Sequence, residues 1–595
     1  MLFFIILKRK MQWTLMAACL LASATAQAQL TLPLTDLSFF KAPAANWQLA
    51  GDVWADLNQS NLLTVKNGTG ILVNLVSKTK HGEDLFTSIE HGDMDLELDY
   101  LMAKGSNSGI YLQGRYEVQL LDSWGIAIPK AVDNGAIYDR NAPRQNVSRA
   151  PGLWQHLKIS FQAPRFDANG RKTDNAKMLR IELNGVLIHE GISLAGPTGG
   201  AMGDNEVANG PLRIQGDHGT VAFKNISITK YDKARPGLSN LHYTVYEGKF
   251  NEEPDFSELI PKFEGSAEMI SSNMVQLKNE FLVRYTGKLQ VNEAGEYAFN
   301  LSTPGGKGFL KINDKTVIPM DQSDGEGKIT LPAGSMPFEL AYAKFEDWAQ
   351  PALGLSVAGP GIREYSASDA NTPGGDVVDP ILVNATNNTL LHSFMDIPGQ
   401  RIVHAVSVGS PTKLHYTYDM EKGNLVQVWR GGFLDATPMW HERGDGSSRP
   451  AGSVVLFGTS SFFLQKLSSQ QQAWSTDSAG TGYRPKGYQL DKEDRPAFRY
   501  QLYGSNVVDA MVALENGQGI KREITVKGPA QNLHALLARG KNIELLPGGL
   551  YIIDDKAYYI QVNDNGGAQP ILRTSGGQQE LLLPVKEKIT YTILF

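Results

Sequence analysis

The chain has 595 residues, of which 42% are apolar and 20% charged, and its formal net charge is −6. This length is enough for about three or four domains, each with its own core. The nearly even balance of charge excludes the strongly basic or acidic surface expected of a protein that binds nucleic acid or an acidic polymer.

The N-terminal 28 residues have the pattern of a secretory signal peptide. A positive cluster at 8–10 precedes an apolar stretch from 13 to about 24, and Ala-Gln-Ala at 26–28 is a small-x-small cleavage pattern. The apolar stretch is too short for a comfortable membrane span. The sequence therefore predicts an exported bacterial protein, periplasmic or secreted, that is cleaved after Ala28 and has no transmembrane anchor.

The chain has a single cysteine, Cys19, and it lies inside this predicted signal peptide. After cleavage the protein would have no disulfide, no thiolate metal site and no cysteine nucleophile. A lipid-attached form is the alternative, because residues 16–19 loosely fit a lipid-attachment box.

Short alternating segments separated by Gly, Pro, Asn and Asp dominate the rest of the chain, which is typical of an all-β protein. Asn169-Gly170 and Asn184-Gly185 each predict a tight hairpin turn. Breaker-rich linkers at 231–237 and 366–380 divide the mature chain into three predicted domains. Their expected limits are 29–232, 238–366 and 381–595.

The stretch GIYLQGRYEVQLLDS, residues 109–123, alternates with particular regularity and predicts a strand with one apolar and one polar face. Tyr111, Gln113, Arg115, Glu117 and Gln119 form the polar row. The row is either a solvated sheet face or the floor of a binding site, and the absence of lysine from 105–125 favours the second reading.

Other segments repeat this alternation. MDLELDY, residues 94–100, places Asp95, Glu97 and Asp99 on its polar side. In PLRIQGDHG, residues 211–219, the polar side takes Arg213, Gln215 and Asp217. Two sheets that pack through their apolar faces leave such rows outside, where a concave face forms a groove suited to sugar hydroxyls.

Three segments carry a family resemblance: NSGIYLQGRYEVQLLDSWG, NGAIYDRNAPRQNVSRAPGLWQHLKISFQAPRFD and NGPLRIQGDHGTVAFKNISI. Together they resemble the 3-keto-disaccharide hydrolase family over about 45–230. The resemblance implies a concanavalin- or laminarinase-like jelly-roll sandwich. It also implies cleavage of 3-keto-disaccharides or other glycosides oxidised at C3, by hydrolysis or by elimination across C1–C2.

This chemistry requires a base for the C2 proton, support for the enolate oxygen and an acid for the leaving group. The catalytic candidates are Glu117, His218, Asp122 and Arg115. The substrate-binding candidates are Tyr111, Gln113, Gln119, Tyr138, Trp154 and Gln215.

Several candidates also have a purely structural interpretation. Glu117 and Arg115 could form a surface ion pair, and His218 could cap a turn. Asp122 could close an Asx-turn. Trp154 could belong to the core.

A divalent metal ion bound by Glu117, Asp122 and His218 is a further hypothesis, and no other cofactor is expected. The chain has no CxxCH haem motif, no GxGxxG after a strand and no P-loop. A separate sugar 3-dehydrogenase would therefore have to supply the ketone.

Residues 238–366 resemble the protective-antigen-type β-barrel module found attached to glycosidases, through the order of a Gly-x-Tyr-x-Phe strand, a short hairpin and an Ala-Gly turn. The calcium-binding acidic pair common in that module is replaced by a loop at 302–307 that contains Lys307. We therefore expect a structural spacer rather than a calcium-dependent sugar site.

Residues 381–595 predict a C-terminal β-rich sandwich. The segment VWRGGFLDATPMWHERGDGSSRP, residues 428–450, combines two tryptophans with many charges, as either a second ligand surface or a rigid ion-paired loop. Two alternatives to a 3-keto-glycoside-cleaving enzyme remain open: a non-catalytic carbohydrate-binding or surface scaffold protein, and a conventional glycosidase.

Overall fold

The computed structural model describes residues 29–76, 81–321, 323–370, 379–441 and 443–595. The predicted signal peptide and Cys19 lie outside these ranges. The protein is nearly all-β, as predicted, and forms two compact units. One unit contains Lys233–Gly375, and the other combines Gln29–Asp232 with Asp376–Phe595. The three-domain division stays a prediction.

The N-terminal part is a jelly-roll sandwich of two antiparallel sheets. Its strands are β1 (Gln29–Thr31), β2 (Trp47–Ala55), β3 (Leu63–Asn74), β4 (Leu85–His91), β5 (Asp93–Met102), β6 (Asn107–Leu112), β7 (Tyr116–Leu121), β8 (Gln155–Gln162), β9 (Arg165–Phe166), β10 (Lys172–Asp174), β11 (Ala176–Leu183), β12 (Val186–Leu194), β13 (Gly210–Ile214) and β14 (Val221–Tyr231). The large sheet runs β12-β11-β8-β5-β14-β3-β2, with β1 on β14, and the small sheet runs β4-β13-β6-β7. The hairpins β9–β10 and β11–β12 confirm the turns predicted from the two Asn-Gly pairs.

The apolar halves of the alternating strands face each other between these two sheets. Leu96 and Leu98 of β5 share one buried core with Ile110 of β6 and with Val118 and Leu120 of β7. Because side chains alternate along a strand, Tyr111, Glu117 and Gln119 must lie on the other face of the small sheet. A segment near 135–138 covers the edge of β7 through backbone hydrogen bonds, and a second segment at 198–202 bonds through its backbone to Arg115 and Gly114 just before β7.

The stretch 109–123 is not one strand, which corrects the sequence prediction. It folds into the hairpin β6–β7, with Gln113 and Gly114 in its turn at φ values of 52° and 66°. Positive φ at both positions favours glycine and small polar residues, so Gly114 is the residue that breaks the run. Tyr111 pairs directly with Glu117 across the hairpin, which keeps both on one face.

The middle unit has two sheets around its own core. Its strands are β15 (Gly237–Glu247), β16 (Phe263–Ala267), β17 (Phe281–Val291), β18 (Gly295–Ser302), β19 (Gly306–Ile312), β20 (Lys315–Ile318), β21 (Asp324–Leu331), β22 (Gly334–Lys344), β23 (Gly354–Gly359) and β24 (Ile362–Ser366). The sheets run β16-β15-β17-β22-β19-β20 and β21-β18-β23-β24. The likeness to a protective-antigen module stays a prediction.

The C-terminal part is also strand-rich. It contains β25 (Leu382–Val383), β26 (Thr389–Ile397), β27 (Gln400–Gly409), β28 (Leu414–Asp419), β29 (Asn424–Asp435), α1 (Thr437–Trp440), β30 (Ser447–Leu456), β31 (Leu464–Lys466), β32 (Arg484–Leu490), β33 (Pro496–Leu502), β34 (Ser505–Ala513), β35 (Gly519–Lys527), β36 (Leu533–Gly540), β37 (Ile543–Leu545), β38 (Leu550–Ile553), β39 (Tyr558–Asp564), β40 (Ile571–Ser575), β41 (Gln578–Pro584) and β42 (Lys588–Leu594). No helix in the described ranges is long and apolar enough to cross a membrane.

The jelly roll and the C-terminal part pack together within their unit. Leu153 shares a buried cluster with Ile552 and Leu594, and Tyr559 donates a hydrogen bond to the Pro151 carbonyl over 3.0 Å. The indole of Trp124, just beyond β7, donates to the Phe595 carbonyl over 2.8 Å. The loop that follows the β6–β7 hairpin is therefore held by the C-terminal end of the chain.

Candidate active site

Three polar side chains cross the outer face of the small sheet in one row. Glu117 of β7 pairs with Tyr111 of β6, and Tyr111 pairs with Arg213 of β13. The guanidinium carbon of Arg213 lies 4.2 Å from the centre of the Tyr111 ring. The row is thus a carboxyl, a phenol and a guanidinium on three adjacent strands.

Glu117 is buried, with only 2% of its surface exposed. Burial raises the pKa of its carboxyl from 4.5 to about 7, since a charged carboxylate is poorly solvated there. A hydrogen bond from Tyr111 and the positive charges of Arg213 and His218 act in the opposite direction and lower this pKa. The Glu117 carboxyl therefore changes between its neutral and charged forms near neutral pH.

The position of the Glu117 carboxyl depends on Gly109, which occupies the adjacent position of β6. A Cβ atom on Gly109 would lie 2.1 Å from Glu117 Oε1, so the carboxyl fills the space that a side chain would take. With its amide nitrogen turned towards β6, Gln119 donates to Glu117 Oε1 over 3.2 Å and to the Ser108 carbonyl over 3.1 Å. Gln119 and Gly109 together fix one side of the carboxyl.

Arg213 is held by an acidic partner outside the sheet. Its Nε lies 2.6 Å from Asp84 Oδ2, and its Nη1 donates to the Gly200 carbonyl over 2.6 Å. Asp84 Oδ1 in turn accepts from the Gly216 amide over 2.9 Å. Neither Arg213 nor Asp84 was among the predicted site residues. The alternation of 211–219 already placed Arg213 beside Gln215, whereas Asp84 precedes β4 and no periodic pattern marks it.

His218 and Gln215 complete the polar face from the β13 side. His218 is half exposed, and its Nδ1 lies 2.5 Å from Asp217 Oδ1. Gln215 has a buried Oε1 without a hydrogen-bond partner in the described structure. A buried amide oxygen of this kind is a ready acceptor for a ligand hydroxyl or a water molecule. Tyr138, at the other end of the face, packs its ring against Gly199.

Gln113 and Arg115 do not join this row, which corrects their predicted roles as substrate-binding and catalytic residues. Gln113 is fully buried, and its Nε2 donates to the carbonyls of His91 and Ala208. Arg115 donates from Nη1 to the Gln113 carbonyl over 2.9 Å and from Nε to the Asn205 carbonyl over 2.5 Å. Both side chains brace the hairpin turn because the turn, not a continuous strand, occupies 113–115.

Two further predicted residues also have structural roles. The Asp122 carboxylate accepts hydrogen bonds from the backbone amides of Gly105 over 2.8 Å and Trp124 over 3.2 Å. The second of these closes an Asx-turn, the structural role that the sequence left open for Asp122. Trp154 is buried in an apolar cluster on the large sheet, away from the polar face, so its assignment as a stacking surface was wrong.

The predicted metal set of Glu117, Asp122 and His218 is not assembled. Within the described ranges, no three His, Cys, Asp or Glu side chains are grouped so that they could hold a metal ion. Asp122 is turned towards backbone amides, and His218 is paired with Asp217. The polar face instead offers a proton acceptor, two hydrogen-bond donors and an exposed imidazole.

Comparison with known proteins gives a family match for the jelly-roll part of the chain. Residues 40–229 match the family of the 3-keto-alpha-glucoside-1,2-lyase-like domain, and no curated protein matches the chain. Two solved structures from Parabacteroides distasonis ATCC 8503, both named provisionally as glycosyl hydrolases, are similar to it. The first is 25% identical, with 34% of this chain and 83% of that chain covered and a TM-score of 0.26. The second is 21% identical, with 34% of this chain and 99% of that chain covered and a TM-score of 0.22.

Glu117, Tyr111, Arg213 and His218 all lie inside the matched range. The match supports a glycosidase-like function for this part of the chain. Residues 40–229 therefore resemble a 3-keto-alpha-glucoside-1,2-lyase-like domain.

Proposed function

We propose that this domain cleaves 3-keto-glycosides, by elimination across C1–C2 followed by hydration, and that Glu117 is the catalytic base. The observation that supports this most directly is a buried carboxyl with a pKa of about 7, placed beside a phenol that has a guanidinium on its other side. A base with a pKa near the working pH combines a sufficient ionised fraction with sufficient basicity.

The first step uses the acidity that a C3 ketone confers on the C2 hydrogen. Glu117 takes that proton, and the C2–H electron pair forms the enolate. The enolate then collapses to a C1=C2 double bond as the C1–O bond breaks. The departing oxygen takes up a proton, and addition of water across C1=C2 completes a net hydrolysis.

Tyr111 and Arg213 are the proposed support for the enolate oxygen. Burial and the neighbouring Glu117 raise the pKa of the Tyr111 phenol well above its usual value, so it remains a proton donor in hydrogen bonds. The ion pair between Arg213 and Asp84 holds the Arg213 guanidinium in one orientation. Donors that are fixed before the reaction stabilise developing charge without reorganisation.

His218 is the proposed proton donor to the leaving group. It is half exposed, paired with Asp217, and close enough for its charge to lower the pKa of Glu117. An imidazole can both protonate a leaving oxygen and accept a proton from the incoming water. Gln215, Gln119 and Tyr138 remain the proposed contacts for sugar hydroxyls and the ring face.

The substrate would be made elsewhere, by a separate sugar 3-dehydrogenase. The N-terminal pattern supports the further proposal that the enzyme acts outside the cytoplasm, in the periplasm or after secretion.

The test is turnover of a chromogenic 3-keto-glucoside and of the same glucoside without the ketone. We expect the wild type to release the chromophore only from the 3-keto substrate. Glu117→Gln should lower kcat/KM by about 10²–10⁴-fold, because the proton acceptor is lost. Glu97→Gln is the matched control on the large sheet and should leave kcat/KM unchanged.

Other outcomes would separate the alternatives. Turnover of the unoxidised glucoside at a similar rate would favour a conventional glycosidase. Binding of the 3-keto sugar without any turnover would favour a carbohydrate-binding protein. Full activity of Glu117→Gln would remove Glu117 from the mechanism.

A further inference from the structure

A wide groove crosses the C-terminal part of the chain, on strands that do not belong to the jelly roll. Its volume is about 820 Å³. Phe394 of β26, Val403 of β27 and Met420 contribute apolar surface, and Met439 and Trp440 of α1 form one wall. Trp440 has 68% of its surface exposed, which is unusual for the largest apolar side chain.

The exposed indole belongs to a rigid turn. Asp435 Oδ1 accepts from the amide of Thr437 over 2.8 Å and from its hydroxyl over 2.5 Å, which fixes the start of α1. Asp435 Oδ2 is paired with Arg449 over 2.8 Å. Trp440 is thus presented to solvent by a fixed backbone.

A second pair of contacts holds the other end of this segment. The Asp445 amide donates to the Pro438 carbonyl over 2.9 Å, and Asp445 Oδ2 accepts from Arg401 over 2.9 Å. Arg401 also stacks over the ring of Phe394, with its guanidinium carbon 5.6 Å from the ring centre. Ion pairs of the kind that one of the two interpretations of this segment predicted are therefore present, and they position the groove wall.

The groove edge carries hydrogen-bonding groups with little charge. His392 and His404 lie on it, with His404 Nε2 3.4 Å from Glu421 Oε1 and His392 Nε2 3.0 Å from Tyr488 Oη. Glu421 is the one carboxylate among the described lining residues, and no lysine or arginine lines the groove there. An acidic edge without basic residues does not attract an anionic membrane surface.

We propose that this groove is a second carbohydrate-binding site, which takes a neutral oligosaccharide with one sugar ring stacked on Trp440. A sugar ring has an apolar C–H face and a rim of hydroxyl groups. The exposed indole matches that face, and the imidazoles and the carboxylate match the hydroxyls. The site is separate from Glu117, so it would hold a polymer near the enzyme and not take part in bond cleavage.

The experiment is affinity electrophoresis of the full chain in gels that contain laminarin, soluble starch, xylan or galactomannan. We expect retardation in at least one gel. Trp440→Ala should weaken this binding by about tenfold or more, because truncation of a central aromatic contact usually costs at least that. Trp440→Phe keeps an aromatic face and should retain most of the binding.

Trp348→Ala is the matched control, since Trp348 lies in the other unit and is 75% exposed. It should bind as the wild type does, and turnover of a small chromogenic substrate should be equal in all these variants. Equal retardation of Trp440→Ala and wild type would overturn the proposal. Absence of retardation in every gel would also overturn it, as would Trp440-dependent binding to anionic phospholipid vesicles alone.

Discussion

The jelly roll has two polar rows that the same alternation pattern predicts, and they differ in almost every physical respect. Glu117 lies on the small sheet, buried and with its pKa raised to about 7. Glu97 lies on the outer face of the large sheet with 43% of its side chain exposed. It contacts Lys158 at 3.3 Å and His156 at 3.1 Å.

The difference comes from what covers each row. Segments near 135–138 and 198–202 bind to the edge of β7, and Thr198 accepts from the Glu117 amide over 2.9 Å. The row on β5 instead faces water and is neutralised by cations on the neighbouring strand β8. A carboxylate with a cation and water beside it is ordinary, whereas a buried carboxyl that is only partly compensated is poised for proton transfer.

The first way to test this contrast is to replace the guanidinium of the buried row. Arg213→Gln should lower kcat/KM for a 3-keto-glucoside by about 10²–10³-fold, because it removes a fixed positive charge at the proposed enolate. Arg213→Lys should recover part of the loss, since it keeps the charge but not the fork. Steady-state kinetics, with circular dichroism to check folding, measure the effect.

Arg180→Gln is the control on the outer face of the large sheet, where Arg180 is 51% exposed. It should leave kcat/KM unchanged. Equal losses in Arg180→Gln and Arg213→Gln would mean that the two faces do not differ in function.

The second test concerns stability rather than activity. Between pH 4.5 and about 7 the native state holds the Glu117 proton more tightly than the unfolded chain does. The stability from this raised pKa is fully present below pH 4.5 and is lost as the pH rises through about 7. Glu117→Gln should therefore nearly match the wild type at pH 4.5 and exceed its unfolding free energy by about 3 kcal/mol at pH 8.

Urea denaturation at the two pH values measures this difference. Glu97→Gln should show no such gain at pH 8, because Glu97 is solvated and paired with Lys158. A Glu117→Gln protein no more stable than wild type at pH 8 would contradict the raised pKa.

Much of the fold was predictable because apolar alternation and turn residues are local signals. The Asn-Gly pairs at 169–170 and 184–185 mark hairpins that the structure contains. Gln113-Gly114 was missed because both strands of its hairpin keep the same alternation, so the run reads as one strand. The glycine was the available signal.

The site was predictable only in part, for a physical reason. The alternation of side chains along the strands places Tyr111, Glu117 and Gln119 on one face of the sheet, and this could be predicted from the sequence alone. The partnership of Arg213 with Asp84, and the loops that bury Glu117, depend on contacts between distant segments. Arg115 and Trp154 have suitable chemistry for a sugar site, but their positions in the fold commit them to bracing and packing.

The smallest expected effect lies in the solvated row. His156 of β8 is hydrogen-bonded to Asp99 of this row over 2.7 Å, and this bond raises the pKa of His156, with a smaller contribution from the charge of Glu97. The stability from this raised pKa is fully present below the ordinary value of 6.5 and is lost as the pH rises through the raised value. His156 is 37% exposed, so solvent screening reduces the gain.

We expect His156→Gln to lower the unfolding free energy by only about 0.5 kcal/mol at pH 5.5 and not at all at pH 9. Added salt should reduce even the effect at pH 5.5, since exposed charges are screened over about 10 Å at 0.1 M. Urea denaturation at the two pH values, with and without salt, provides the measurement, and kcat/KM should not change. A loss of activity in His156→Gln would contradict the division of labour between the two faces, because it would give the solvated row a role that only the buried row should have.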